Sequence, residues 1–217
     1  INIMNKKHQV HNLIILDESG SMQSIKPTII AGFNELVQTI QGIEKQFPDQ
    51  EHTISFLTFN SLGQKFHHFN HPVAKLQKIN EKNYNPDSGT PLFDAMGHSL
   101  LKVKHHLEGQ TDYNVLVTIL TDGEENASKE FSGADIKKLV EELQMNRWTF
   151  TYIGTDHDVE KIARSLSIKN TMTFEKNEAD IKNMWLKESS ARASYSEKIR
   201  LKEDTSTGYF EGKKDKK

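Results

Sequence analysis

Short apolar runs and longer stretches with helical spacing take turns along the chain. Residues 10–16 (VHNLIIL) form a compact apolar run that ends at Asp17. A run of that length reads as a buried parallel strand. Ile25, Ile29, Phe33, Leu36, Val37 and Ile40 then recur at three- and four-residue intervals, which predicts a helix of several turns with Pro27 near its start. Phe47-Pro48-Asp49 breaks it. Residues 52–59 (HTISFLTF) are rich in β-favouring side chains, and 65–69 are expected beside them as an edge strand.

After a polar connection at 80–88, Leu92, Phe93, Met96, Leu100, Val103 and Leu107 mark a second helix. Thr90 is expected as its N-cap and Pro91 as its first residue. Residues 113–120 (YNVLVTIL) are the clearest central strand, ending in Thr121-Asp122-Gly123. A helix near 134–143, a strand at 148–153, a short helix near 159–166 and a weak strand near 171–174 continue the alternation. Strands alternating with helices predict an α/β fold, a mostly parallel sheet with helices on both faces. A further helix is expected at 179–201, with Ile181, Met184, Trp185, Tyr195 and Ile199 available to pack. Residues 202–217, polar and charged, are expected to be disordered. The expected division is thus a domain at 8–175, a C-terminal helix at 176–201 packed on it, and the tail.

Ligands of such sheets bind outside the carboxyl ends of the strands, where strand order reverses. Three polar clusters fall at those positions. Asp17-Glu18-Ser19-Gly20-Ser21 follows the first strand, and Asp17, Ser19 and Ser21 stand at alternate places, so one turn aims a carboxylate and two hydroxyls at a common point. Gly20 gives the backbone freedom to curl there. Asp87-Ser88-Gly89-Thr90-Pro91 sets a hydroxyl at the start of the second helix, and Asp122 ends the strongest strand. All are hard oxygen donors, suited to Mg²⁺ or Mn²⁺ rather than zinc. Any one cluster alone also fits a solvated turn or a helix cap.

Together the three resemble the metal-ion-dependent adhesion site of von Willebrand factor A domains: D-x-S-x-S after the first strand, a later Gly-Thr-Pro, and an Asp after the fourth. Asp17, Ser19, Ser21, Thr90 and Asp122 match all five positions. The wider strings Ser88-Gly89-Thr90-Pro91-Leu92 and Thr121-Asp122-Gly123-Glu124-Glu125-Asn126 resemble bacterial members. The resemblance implies a Rossmann-like three-layer α/β/α fold with about six helices and a metal at the sheet's upper edge. It further implies Mg²⁺, with Mn²⁺ or Ca²⁺ as alternatives, and a partner protein that supplies an Asp or Glu to the metal. Neutral hydroxyls quench a dication little, and an incomplete protein shell leaves a position for an outside carboxylate.

Other features change this picture little. Asp94 is expected on the first turn of the second helix, favourable for its dipole. Glu18, Asp87, Glu124 and Glu125 are expected at the rim of the site. Among the ten histidines, His67 and His68 fall on opposite faces of their strand, so these two, with His71, His105 and His106, are read as surface residues. Lys213, Lys214, Lys216 and Lys217 read as a solvated basic tail.

With 217 residues, 35% hydrophobic and 27% charged, the chain is long enough to bury a core without staples. It has no cysteine, which removes disulfides, thiolate metal sites and cysteine nucleophiles. A net charge of −2 and a pI near 6.6 give no general pull toward nucleic acid or membrane, and no apolar run suffices to span a bilayer. Met4, followed by Asn5-Lys6-Lys7, is a candidate native start; a cytoplasmic location is then expected, with a removed signal as the alternative.

An enzyme is not expected. The competing reading is a magnesium-dependent phosphotransferase or hydrolase with Asp17 as nucleophile, yet Ser19 stands where such enzymes place a second Asp. Nucleotide phosphate-loop, serine-hydrolase and zinc-protease motifs are absent from the sequence. A third reading is a scaffold that works through the C-terminal helix, with Trp185 and Tyr195 either anchoring a partner or packing on the sheet.

Overall fold

The computed structural model describes residues 7–155 and 158–211. Six strands, β1 (His8–Asp17), β2 (Gln50–Asn60), β3 (Gly63–Pro72), β4 (Tyr113–Thr121), β5 (Trp148–Gly154) and β6 (Asn170–Thr173), form one sheet in the order β3-β2-β1-β4-β5-β6. Only β3 runs antiparallel. Among the described residues five α-helices accompany them: α1 (Lys26–Gln46), α2 (Leu92–His106), α3 (Gly133–Gln144), α4 (Val159–Ser165) and α5 (Glu178–Arg200). Two short 3₁₀ turns, Gly20–Ile25 and Val73–Lys75, complete the set.

The alternation of side chains along each strand explains why the apolar runs are continuous. Leu13 and Ile15 of β1 face one core with Val117 and Ile119 of β4, beneath α2, α3 and α4. Ile14 and Leu16 face the opposite core with Phe56 of β2, beneath α1 and α5. A parallel strand covered on both sides needs apolar residues at every position. The result is the three-layer α/β/α arrangement that the alternation predicts. On the α1–α5 side the packing is close: Phe33 stacks on Phe56 at 4.6 Å between centroids, and the Trp185 indole lies directly over Gly32. A Cβ at Gly32 would stand 1.8 Å from the indole.

Several local expectations are corrected. The edge strand is longer than 65–69, because β3 pairs with β2 along Gly63–Pro72 through register shifts near Phe56. His68 is buried rather than at the surface, its Nδ1 3.1 Å from His71 Nδ1, while His67 stacks on Phe56 and bonds Thr58 Oγ1 at 2.9 Å. His71, His105 and His106 are exposed. Residues 202–211 do not behave as a tail. They fold back so that Thr149 Oγ1 donates to Thr205 O (3.0 Å), Asn170 Nδ2 donates to Ser206 O (3.1 Å), and Tyr209 is buried. A hidden aromatic offsets the entropy of ordering this polar stretch. The basic tail at 213–217 lies outside the described residues.

Candidate functional site

The register of the two central strands sets the site. Leu16 pairs with Leu120 and Asp17 with Phe59, so β1, β2 and β4 end level with one another, at the point where strand order reverses. Asp17 is fully buried. Its Oδ1 accepts from the Ser19 backbone N–H at 2.7 Å, and its Oδ2 accepts from Thr121 Oγ1 at 2.6 Å. Tyr84, buried in the connection ahead of α2, donates to the Asp17 carbonyl at 2.8 Å and pins that connection under β1.

The three loops are stitched together by main-chain bonds. Gly20 N–H donates to Ser88 O at 2.9 Å, and Asp87 N–H donates to Glu18 O at 3.0 Å. Asn126 N–H donates to Thr90 O at 3.1 Å, while Thr90 N–H donates back to Asn126 Oδ1 at 2.9 Å. Gly89 must be small here, since a Cβ would meet Asn126 Oδ1 at 2.9 Å.

Within this frame the hydroxyls and carboxylates meet. Ser19 Oγ and Ser21 Oγ are 3.1 Å apart, and Ser21 Oγ donates to Asp122 Oδ1 at 2.5 Å, across 101 positions of sequence. Thr90 joins them: a point just above the Gly123 Cα lies 3.4 Å from Thr90 Oγ1 and 3.5 Å from Ser21 Oγ. Asp17, Ser19, Thr90 and Asp122 are buried, whereas Ser21 is exposed. The five residues singled out in the sequence therefore converge at one end of the sheet.

Two buried carboxyl groups, Asp17 and Asp122, share this end of the sheet. Burial, against the hydrogen bonds from Thr121 and Ser19 and with the negative field of Asp122, pushes the Asp17 carboxyl up to about 6. Burial thus disfavours the charged form, and a nearby positive charge would favour it. Asp122 Oδ2 receives no directed hydrogen bond among the described residues; instead Lys176 Nζ stands 2.7 Å from it. Lys176 lies between β6 and α5, and nothing in its local sequence distinguishes it from the chain's other lysines. Among the described residues no three His, Asp or Glu side chains gather as a metal cluster. The donor set is hydroxyl-rich: two carboxylates and three hydroxyls.

The residues around the site play parts that differ from expectation. Thr90 is not the N-cap of α2; the helix begins at Leu92, with Pro91 in the capping place and no side-chain cap bond of its own. The open N–H groups of that first turn are met from the third loop, where Glu125 Oε2 accepts from Phe93 N–H (2.9 Å) and Ser128 Oγ from Asp94 N–H (3.0 Å). Glu125 is thus a bracket between loop and helix rather than a solvated rim residue. It also accepts from Ala127 and Ser128 N–H. Asp94 likewise faces the loop, accepting from the N–H groups of Lys129, Glu130 and Phe131 at 2.8–2.9 Å. Burial would raise its pKa, but these bonds outweigh it and hold the carboxyl below the usual range. Glu18 is half-buried and accepts from Asn85 N–H, whereas Asp87 and Glu124 remain exposed.

Similar folds are numerous among solved structures. The von Willebrand factor type A protein from Catenulispora acidiphila superposes with a TM-score of 0.56 at 15% identity, covering 88% of this chain and 43% of that one. The pilus adhesin SpaC from Lactobacillus rhamnosus GG, in its open conformation, gives 0.61 at 12% identity, covering 88% and 30%. The manganese-loaded TRAP protein of Plasmodium vivax gives 0.52 at 16%, covering 82% and 74%. This chain therefore spans less than half the length of the first two. At such identities the likeness is one of fold. A search among curated proteins returned no match. The sequence model of the von Willebrand factor type A domain matches residues 13–186, most of the chain, and the chain belongs to that family.

Proposed function

We propose that Asp17, Ser19, Ser21, Thr90 and Asp122 hold a divalent cation, and that the chain is a metal-dependent protein-binding module whose partner supplies an Asp or Glu. Mg²⁺ is the first candidate, with Mn²⁺ and Ca²⁺ as alternatives, since all take oxygen ligands. The observation that carries this reading is the Ser21 hydroxyl, 3.1 Å from Ser19 Oγ and 2.5 Å from Asp122 Oδ1, which joins two sequence-distant loops beside a buried Asp17. The ammonium found against Asp122 supports it as well, because a pocket that already draws in a cation has the right polarity for another. When bound, the metal would supply a charged, incompletely shielded point for an incoming carboxylate. The chain's residues position that point: Thr121 and the Ser19 N–H aim the Asp17 carboxyl group, and the loop bonds fix the hydroxyls in place.

The catalytic alternative has less support. Asp17 is closed to solvent and each of its oxygens accepts a hydrogen bond, so it is poorly placed to attack a substrate, while each oxygen keeps a lone pair for a cation or its bound water. The helix-anchor reading also loses support, because Trp185 and Tyr195 are buried in the fold. Calorimetric titration with Mg²⁺ and Mn²⁺ tests the proposal. Saturable binding at millimolar metal or below is expected, absent in Asp17→Ala while circular dichroism shows an intact fold. A partner captured by the wild type in Mg²⁺, and released by EDTA, is expected to be missed by that variant. Equal heats for wild type and Asp17→Ala would end the reading.

A further inference from the structure

We infer that Lys176 is a resident cation of the site, competing with the divalent metal for Asp122 and so setting how tightly the metal is held. This rests on the metal-site reading above and concerns what occupies that site when metal is scarce. The two oxygens of Asp122 face different donors: Oδ1 takes the Ser21 hydroxyl at 2.5 Å and Oδ2 lies 2.7 Å from Lys176 Nζ. A dication drawn to the serine hydroxyls and an ammonium on the neighbouring oxygen of one carboxylate repel each other, and burial leaves little water to screen them. The Asp122 side chain has no exposure at all, so its charge needs a partner in the absence of metal. Lys176 meets that need with one positive charge; a dication answers both Asp122 and Asp17.

The main chain around Lys176 is tied down, which makes this an exchange of side-chain positions. Phe174 N–H donates to Gly154 O at 3.1 Å and Glu175 N–H to Asp180 Oδ2 at 2.6 Å, while Asn177 Oδ1 caps α5 by accepting from Asp180 N–H at 2.9 Å. The four-carbon stem can still turn about its own bonds, and the side chain is 22% exposed, so the ammonium has a path to water. Lysine in and metal out, or metal in and lysine out, are the two arrangements the pocket offers.

Mn²⁺ and Mg²⁺ titrations of the full chain decide it, using wild type, Lys176→Met, Lys176→Arg and Asp17→Ala, each checked for fold by circular dichroism. Lys176→Gln serves if the methionine variant does not fold. Lys176→Met is expected to bind metal about tenfold tighter or more than wild type. In EDTA it is expected to melt below wild type and to recover when metal is added. Lys176→Arg, which keeps the charge, is expected to stay near wild-type affinity. If wild type and Lys176→Met bind equally, or the variant binds more weakly, while Asp17→Ala does not bind, competition is overturned and the metal site stands. If none of the proteins binds metal, the metal-site reading fails and the competition with it.

Discussion

Thr121 and Ser19 divide the two oxygens of Asp17 between them, and this pairing keeps a fully buried carboxylate tolerable beside Asp122. Thr121→Val preserves the shape of the side chain and deletes one donor. A buried acceptor left unpaired costs about 1–3 kcal/mol, so urea denaturation in EDTA is expected to show a loss of that size. An unchanged midpoint would mean that Thr121 does not hold Asp17. Asp17, Ser19, Ser21, Thr90 and Asp122 were legible because their spacing and loop positions are written in the chain. Thr121, Tyr84 and Lys176 were not, since their roles depend on strand register or on a contact 54 positions away, as Lys176 reaches Asp122. The bracing role of Glu125 is hidden in the sequence for the same reason: an acidic loop residue looks solvated until folding brings the N–H groups of a helix within its reach.

Helix α5, expected at 179–201, forms at Glu178–Arg200, but part of its buried face is charged. Glu188 and Arg192 are both buried, and the guanidinium reaches Asn12 Oδ1 at 2.8 Å, Thr118 Oγ1 at 2.7 Å and Glu188 Oε1 at 2.8 Å. Tyr209, from the returning C-terminal stretch, donates to that same Glu188 oxygen at 3.2 Å. An apolar-periodicity reading cannot see a stripe held by an ion pair, and it therefore also missed the segment that Tyr209 anchors. Breaking such a pair strands a buried charge at a cost of about 3–5 kcal/mol, whereas replacing both members by apolar groups is often tolerated. Arg192→Met is expected to lower stability by that amount, and Arg192→Met with Glu188→Leu to recover most of it; chemical denaturation of the two variants gives the comparison. The α1–α5 seam makes a second demand. Gly32→Ala forces a methyl group into the Trp185 indole and is expected to cost about 1–3 kcal/mol. Trp185→Phe in the same chain is expected to cost less there than in the wild-type background, a coupling that a double-mutant cycle measures.

The alternation of strands and helices and the two-faced sheet were legible, because burial on both sides of a parallel sheet leaves a plain apolar signature. Acid stability was not, because it depends on which histidines the fold encloses. Burial lowers His11 and His52 from 6.5 to about 4. Around His11 stand His8, Glu51, Asn70 and His106, with Thr53 Oγ1 bonded at 2.7 Å; Arg192, His8 and His11 face His52, with Gln50 Oε1 at 3.1 Å. A histidine whose folded pKa is depressed adds stability above its unfolded value and loses it as pH falls. The window is therefore from 6.5 down to about 4. The shift, 6.5 − 4, is roughly 2.5 units for each ring, which corresponds to about 3 kcal/mol apiece. Asp17 works in the opposite sense: raised from 3.8 to about 6, it favours the fold more as pH falls through that range. His67, also lowered by burial to about 4, adds to the loss, while Glu188, raised by burial, works with Asp17; the histidines are expected to prevail. Urea midpoints in EDTA are expected to fall steadily between pH 6.5 and 4, and a His11→Gln, His52→Gln double variant is expected to give a flatter limb. If that variant keeps the wild-type slope, the acid sensitivity lies in other groups.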